Sequence, residues 1–83
     1  RRFSALGHLL HRLGEVMKLL DTVALTEDVP SHQLRRGQVG TIVEELAPNV
    51  FEVEFSDDKG QTYALLPLKE HQLMVLYHEL LAS

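Results

Sequence analysis

His8 and His11 stand three residues apart, a spacing that sets two imidazoles on one side of a helix and could begin a zinc site. Zinc takes three or four protein ligands, and no set of that size follows at a supporting spacing. His71 and His78 are seven apart, with Glu79 next in line, and an odd separation turns them to opposite faces of a regular strand. The run Asp57-Asp58-Lys59-Gly60 has the acids of a calcium loop but not the dozen or so residues ending in a bidentate glutamate, so it reads as a turn. Of the serines, only Ser31 has a histidine beside it, His32, and a neighbouring side chain on a loop does not naturally point back to form a nucleophile and base. Glu52 and Glu54 share one strand face about 7 Å apart in water, with nothing to split their acidities into an acid and a base. The absence of cysteine removes thiolate metal sites, disulfides and a cysteine nucleophile, and leaves the redox compartment open. No catalytic, cofactor-binding or metal-ligating residue is assigned, and the expectation is a protein that is not an enzyme.

Arg35 and Arg36 are the one pair suited to holding phosphate. Against them stand Glu44, Glu45, Glu52, Glu54, Asp57 and Asp58, within a formal net charge of −4. Such a chain lacks the basic stripe that supplies affinity for nucleic acid, so this pair is a weak nucleic-acid candidate and is read first as an exposed pair answering local acids. An acidic domain is better suited to gripping a basic protein partner, where charge raises the association rate more than the affinity.

The elements that would position these side chains fall into two parts. Residues 1 to 16 carry Arg1, Arg2 and Arg12 against Glu15, so this stretch is +2 and the remaining residues carry −6. Phe3, Leu6, Leu10, Leu13 and Met17, with Leu9 and Val16 beside them, follow the three-and-four spacing of an amphipathic helix. His8, His11 and Arg12 interrupt any secretory signal, and no apolar run approaches the roughly 20 residues that cross a bilayer. A cytoplasmic location away from the membrane is therefore expected.

From Leu20 onward the pattern becomes β-like. Residues 21 to 25 read as a first strand with Asp21, Val23 and Leu25 on one side. Residues 26 to 34, with Pro30, read as a long irregular loop. Residues 38 to 45 form a second strand that Gly40 bends or lets another backbone approach closely; Val39, Thr41 and Val43 compete with Ile42 for its inward side. Residues 46 to 49 turn, and residues 50 to 55 give the cleanest alternation, with Phe51, Val53 and Phe55 inward and Glu52 and Glu54 outward. Residues 56 to 60 make a hairpin loop closed by Gly60, residues 61 to 66 return, and Pro67 ends that strand. A helical turn over residues 69 to 72, a last strand over residues 73 to 77 and a tail over residues 78 to 83 complete the chain. Five short strands in about sixty residues predict a mainly β fold, a small SH3-like five-stranded antiparallel barrel behind an N-terminal helix.

Met17-Lys18-Leu19-Leu20-Asp21-Thr22-Val23, then Leu34-Arg35-Arg36-Gly37-Gln38-Val39-Gly40-Thr41-Ile42-Val43-Glu44, then Phe51-Glu52-Val53-Glu54-Phe55 and Gly60-Gln61-Thr62-Tyr63-Ala64-Leu65 together resemble the bacterial family called domain of unknown function 4926, from Met17 to about Leu76. The resemblance implies an SH3-like fold and no activity. It also marks residues 1 to 16 as an extension upstream of the family's usual Met-Lys start, giving a helical segment (1 to 16) and a barrel with a short tail (17 to 83). A second likeness, in the glycine-rich strand around Gly37 and Gly40, is to KOW-type barrels of ribosomal and transcription proteins.

The expected role is a protein-interaction module that self-associates as a homodimer or higher oligomer. A barrel of about sixty residues hides only about 60% of its unfolded surface, and the stripe of Phe3, Leu6, Leu9, Leu10 and Leu13 must be covered as well, by its own barrel or, as easily, by a second chain; the second makes those five the expected interface. The alternative is a KOW-like nucleic-acid-binding barrel using Arg35 and Arg36. The expected core is Val23, Leu25, Val39, Ile42, Phe51, Val53, Phe55, Leu65, Leu73 and Val75. Phe51→Ala should then cost about 3 to 5 kcal/mol in chemical denaturation, and wild-type stability in that variant would mean the strand register is wrong.

Overall fold

The computed structural model of the protein describes residues 17 to 77. The expected N-terminal helix, the expected interface at Phe3, Leu6, Leu9, Leu10 and Leu13, the pair His8 and His11, and the tail with His78 and Glu79 all lie outside the described residues. Within them the chain is mainly β: β1 (Thr22–Leu25), β2 (Val39–Ala47), β3 (Val50–Ser56), β4 (Thr62–Lys69) and β5 (Leu73–Tyr77), with 3-10 turns at Pro30–His32 and Glu70–Gln72. All neighbouring strands are antiparallel, in the order β4-β3-β2-β1-β5.

The sheet does not close. Among the described residues β4 pairs only with β3 and β5 only with β1, so in place of the expected barrel they form an open sheet with two edges. It is nevertheless forced to curl. Four residue steps separate the end of β4 from the start of β5, a reach of about 14 Å at most, whereas five flat strands would hold the two edges about 19 Å apart. The Glu70–Gln72 turn draws the two edges together at one corner without bringing their backbones into register. A hydrogen bond from the Glu70 N–H to the Asn49 carbonyl (2.9 Å) ties that corner to the β2–β3 turn, where Asn49 takes the left-handed conformation (φ 67°) that asparagine tolerates.

Alternation decides the two faces, and Gly40 decides their phase in β2. A Cβ at Gly40 would lie 2.8 Å from the Glu54 carbonyl oxygen, 2.9 Å from Val53 Cγ1 and 3.0 Å from Phe55 Cδ2. Gly40 therefore occupies the inward position, and β3 lies across the space its side chain would fill. This settles the competition in β2: Ile42 is fully buried, while Val39 faces out at 47% exposure, contrary to its expected place in the core. The core contains Val23, Leu25, Leu34, Ile42, Phe51, Val53, Phe55, Leu66, Leu68 and Leu73, with Met17, Val29, Ala64 and the half-buried Val75 packed against it.

Strand β4 differs most from expectation. Pro67 does not end it; the strand runs on to Lys69, with Pro67 opposite Glu52. Because β4 is an edge, a residue without an N–H fits where that group would face solvent. A register shift between Phe55 and Ser56 sets the inward phase at Ala64, Leu66 and Leu68, so Leu65, expected inside, is 53% exposed. Leu34 reaches the core from the β1–β2 loop, which is more ordered than expected: Val29 and Leu34 form a β-bridge around the Pro30–His32 turn. Gly40→Ala should cost about 1 to 3 kcal/mol, since the new methyl group meets backbone on β3; an unchanged denaturation midpoint would show that β3 shifts freely.

Candidate functional site

Three surfaces gather the side chains that the sequence singles out. The first is an open cleft of about 550 Å³ beside the β1–β2 loop, lined by Asp28, Pro30, Gln33, Leu34, Arg35 and Arg36. Its shape comes from backbone hydrogen bonding. Leu25 and the loop exchange bonds, Leu25 N–H to the Gln38 carbonyl (2.9 Å) and Gly37 N–H to the Leu25 carbonyl (2.8 Å), with Gly37 at a φ of 93° that only glycine adopts easily. The Asp28 carboxylate accepts the Arg36 backbone N–H at 2.8 Å. Gln38 works in two directions: its Oε1 accepts the Arg35 N–H at 2.5 Å and its Nε2 donates to the Tyr63 hydroxyl at 3.1 Å. Tyr63 in turn leans on Phe55, ring centroids 6.4 Å apart. Arg35 and Arg36 are brought together on this rim, both exposed, and they share it with the acid Asp28.

On the same loop Ser31 Oγ lies 3.0 Å from His32 Nδ1, contrary to the expectation that these neighbours would not meet. The 3-10 turn brings them together. Both are exposed, and among the described residues no third group holds the imidazole, so the contact lacks the oriented base that a nucleophile requires.

The second surface is the convex face of the sheet. Ala24 pairs with Val39 on one side and Met74 on the other, giving an apolar row across β2, β1 and β5 in which Met74 is 51% exposed and Ala24, screened by its neighbours, only 5%. The adjacent row crosses all five strands as Leu65, Glu54, Thr41, Thr22 and Tyr77. Leu65, Met74, Leu76 and Tyr77 are all exposed.

The third surface is acidic and lies on β2 and β3. Glu44 sits directly opposite Glu52, an unfavourable like-charge pairing, and Glu45 lies beside them. Glu52 and Glu54 are half-buried rather than fully in water, and Glu54 accepts a hydrogen bond from the Thr62 hydroxyl. Among the described residues no lysine or arginine forms an ion pair with Glu44, Glu45, Glu52 or Glu54. The Asp57 loop is a turn, as expected: Asp57 Oδ1 accepts the N–H groups of Lys59 and Gln61, each at 2.9 Å, and Gly60 has a φ of 82°. His71 contributes its carbonyl, which accepts the Thr26 hydroxyl at 2.8 Å, and its side chain is exposed. No group of three or more His, Asp or Glu converges as metal ligands would among the described residues.

Asp21 was not singled out, although the alternation of β1 puts it on the side of Val23 and Leu25. It is fully buried; its Oδ2 accepts the Lys18 N–H at 2.8 Å while its own N–H donates to the Lys18 carbonyl at 3.0 Å. Ile42 N–H bonds the Asp21 carbonyl (3.0 Å) and Leu20 N–H bonds the Ile42 carbonyl (2.7 Å), so a polar turn fastens the start of β1 to β2. The signal was available: an acid in phase with two core residues just before a strand needs a local donor.

No helix among the described residues is long and apolar enough to cross a membrane. The family described as Domain of unknown function (DUF4926) matches residues 19–75. No curated protein and no solved structure matches the chain.

Gln38→Ala should leave the core intact, lower stability by about 0.5 to 1.5 kcal/mol and speed hydrogen exchange at the Arg35 amide. Unchanged exchange there would mean that Gln38 does not hold the loop.

Proposed function

The chain belongs to the domain of unknown function family DUF4926, and from that premise we propose that it is a non-enzymatic protein-interaction module that self-associates. The observation that carries this reading is the apolar row of Val39, Ala24 and Met74, continued by Leu76 and Tyr77, on the open face of a small sheet. Contiguous apolar surface on a small domain is costly to leave in water and marks a contact surface. The stripe of Phe3, Leu6, Leu9, Leu10 and Leu13 adds apolar surface of the same kind from the sequence side.

The strand order β4-β3-β2-β1-β5, with a long β1–β2 loop and a 3-10 turn before the last strand, supports an SH3-like reading of the fold, as a barrel left open at one seam. The clefts are open and shallow, which suits a docking surface better than a reaction chamber. The acidic strip of Glu44, Glu52 and Glu54 suits a basic protein partner, and a cytoplasmic setting suits such a module. Nucleic-acid binding through Arg35 and Arg36 ranks below this, because Asp28 occupies the same rim and the face across the sheet is acidic. Light scattering of the full chain over a wide concentration range should give a mass that rises above the monomer; a monomer at every concentration removes the self-association.

A further inference from the structure

The two edges of the open sheet are built differently. Strand β4 carries Pro67 within its length and Lys69 at its end, two of the devices by which natural edges resist pairing with another chain. Strand β5 (Leu73–Tyr77) carries neither: it reads Leu, Met, Val, Leu, Tyr, without a charge, a proline or a glycine, Met74, Leu76 and Tyr77 are exposed, and its one irregularity is the register shift that leaves Leu76 between the pairs Val23–Val75 and Thr22–Tyr77. Its backbone phase is also fixed. The Gln72 carbonyl accepts the Thr26 N–H (2.9 Å) and therefore faces β1. Met74, opposite Ala24, faces the same way, and alternation turns the N–H and C=O of Val75 to the open side. The Leu73 N–H is taken by the Glu70 carbonyl, which leaves Val75 at the centre of the available edge.

We infer that β5 is the self-association surface, pairing antiparallel with β5 of a second copy about a two-fold axis at Val75. This inference rests on the self-association proposed above and gives it a location. In that register Val75 exchanges both backbone hydrogen bonds with its own copy, Met74 stands opposite Leu76 of the second chain, and the two sheets become one continuous sheet.

Charge selects a second copy over a basic partner at this edge. The strand and its neighbour β1 are both uncharged, whereas the acids of the sheet are on β2 and β3. Joined at β5, the two copies hold their β2 strands five strand spacings apart, about 24 Å, beyond the roughly 8 Å over which exposed charges act at physiological salt. Joined at β4, their β3 strands would be only three spacings apart, about 14 Å, with Pro67 in the seam. A basic partner would be drawn to the acidic strip and gain nothing from β5.

The test is sedimentation equilibrium of the full chain, wild type beside the double variant Met74→Lys with Leu76→Lys, which sets lysine against lysine across the axis. The expected result is a wild-type dimer and a dissociation constant raised roughly tenfold or more in the variant. A wild type that stays monomeric overturns both this inference and the self-association beneath it. A dimer that survives the lysines but dissociates on Leu6→Glu with Leu10→Glu overturns the β5 edge alone and moves the contact to residues 3 to 13. Should the lysine variant lose its cooperative melt, hydrogen exchange on the wild type decides: protection of the Val75 amide must rise with protein concentration, and exchange independent of concentration overturns the inference.

Discussion

The close approach of β3 to β2 at Gly40 is the constraint on which the rest of the sheet depends. With 2.8 Å between the place of a Cβ and the Glu54 carbonyl, no other residue leaves room for the backbone to cross there. The close approach holds β3 tightly against β2 there, and a single 3-10 turn, Glu70–Gln72, joins the outermost strands. The approach also puts Val53 and Phe55 over Gly40, so the aromatic centre of the core is packed against backbone. Val39 and Thr41 follow on the convex side because Gly40 and Ile42 have taken the concave one.

Burial on one face leaves chemistry of two kinds on the other. Toward β5 the convex surface is uncharged and apolar; toward β3 it is acidic, with Glu44 facing Glu52 at the cost of mutual repulsion. That repulsion is held in place by the covalent continuity of β2 and β3 and by the burial of Ile42, Val53 and Phe51 beneath. The polar turn at Lys18 and Asp21 serves the opposite end of the sheet, fixing β1 to β2 with hydrogen bonds where β1, four residues long, offers few of its own.

Much of this was legible in the sequence because the signals were local. The alternation in β3 placed Phe51, Val53 and Phe55 correctly, the bounds of β5 and the turn before it were read closely, and Asp57 and Gly60 announced their hairpin. What was not legible depended on partners distant in sequence. Pro67 stops a strand only if its N–H is needed, and that depends on whether the strand is an edge. The phase of Leu65 and Leu66 is set by a register shift at Ser56, on the other side of the hairpin. Leu34 looked like loop because nothing nearby says that the loop folds over the core. Closure of the sheet was inferred from strand count, but hydrogen bonding between β4 and β5 needs a stagger that composition does not encode. The exposed apolar surface was the least legible, since an exposed leucine and a buried one are the same letter.

Pro67 has a further consequence at the level of populations. A sheet that adds copies of itself without limit must present two receptive rims, one to join and one to be joined. Among the described residues the sheet presents one, because Pro67 removes a donor from the middle of the other. The pairing inferred for β5 would use up that rim on both partners and leave a proline-bearing rim facing solvent on each side. In the pairing inferred for β5, a single imino acid would limit the stoichiometry, and a short apolar strand that could otherwise seed aggregation would end in a particle of fixed size.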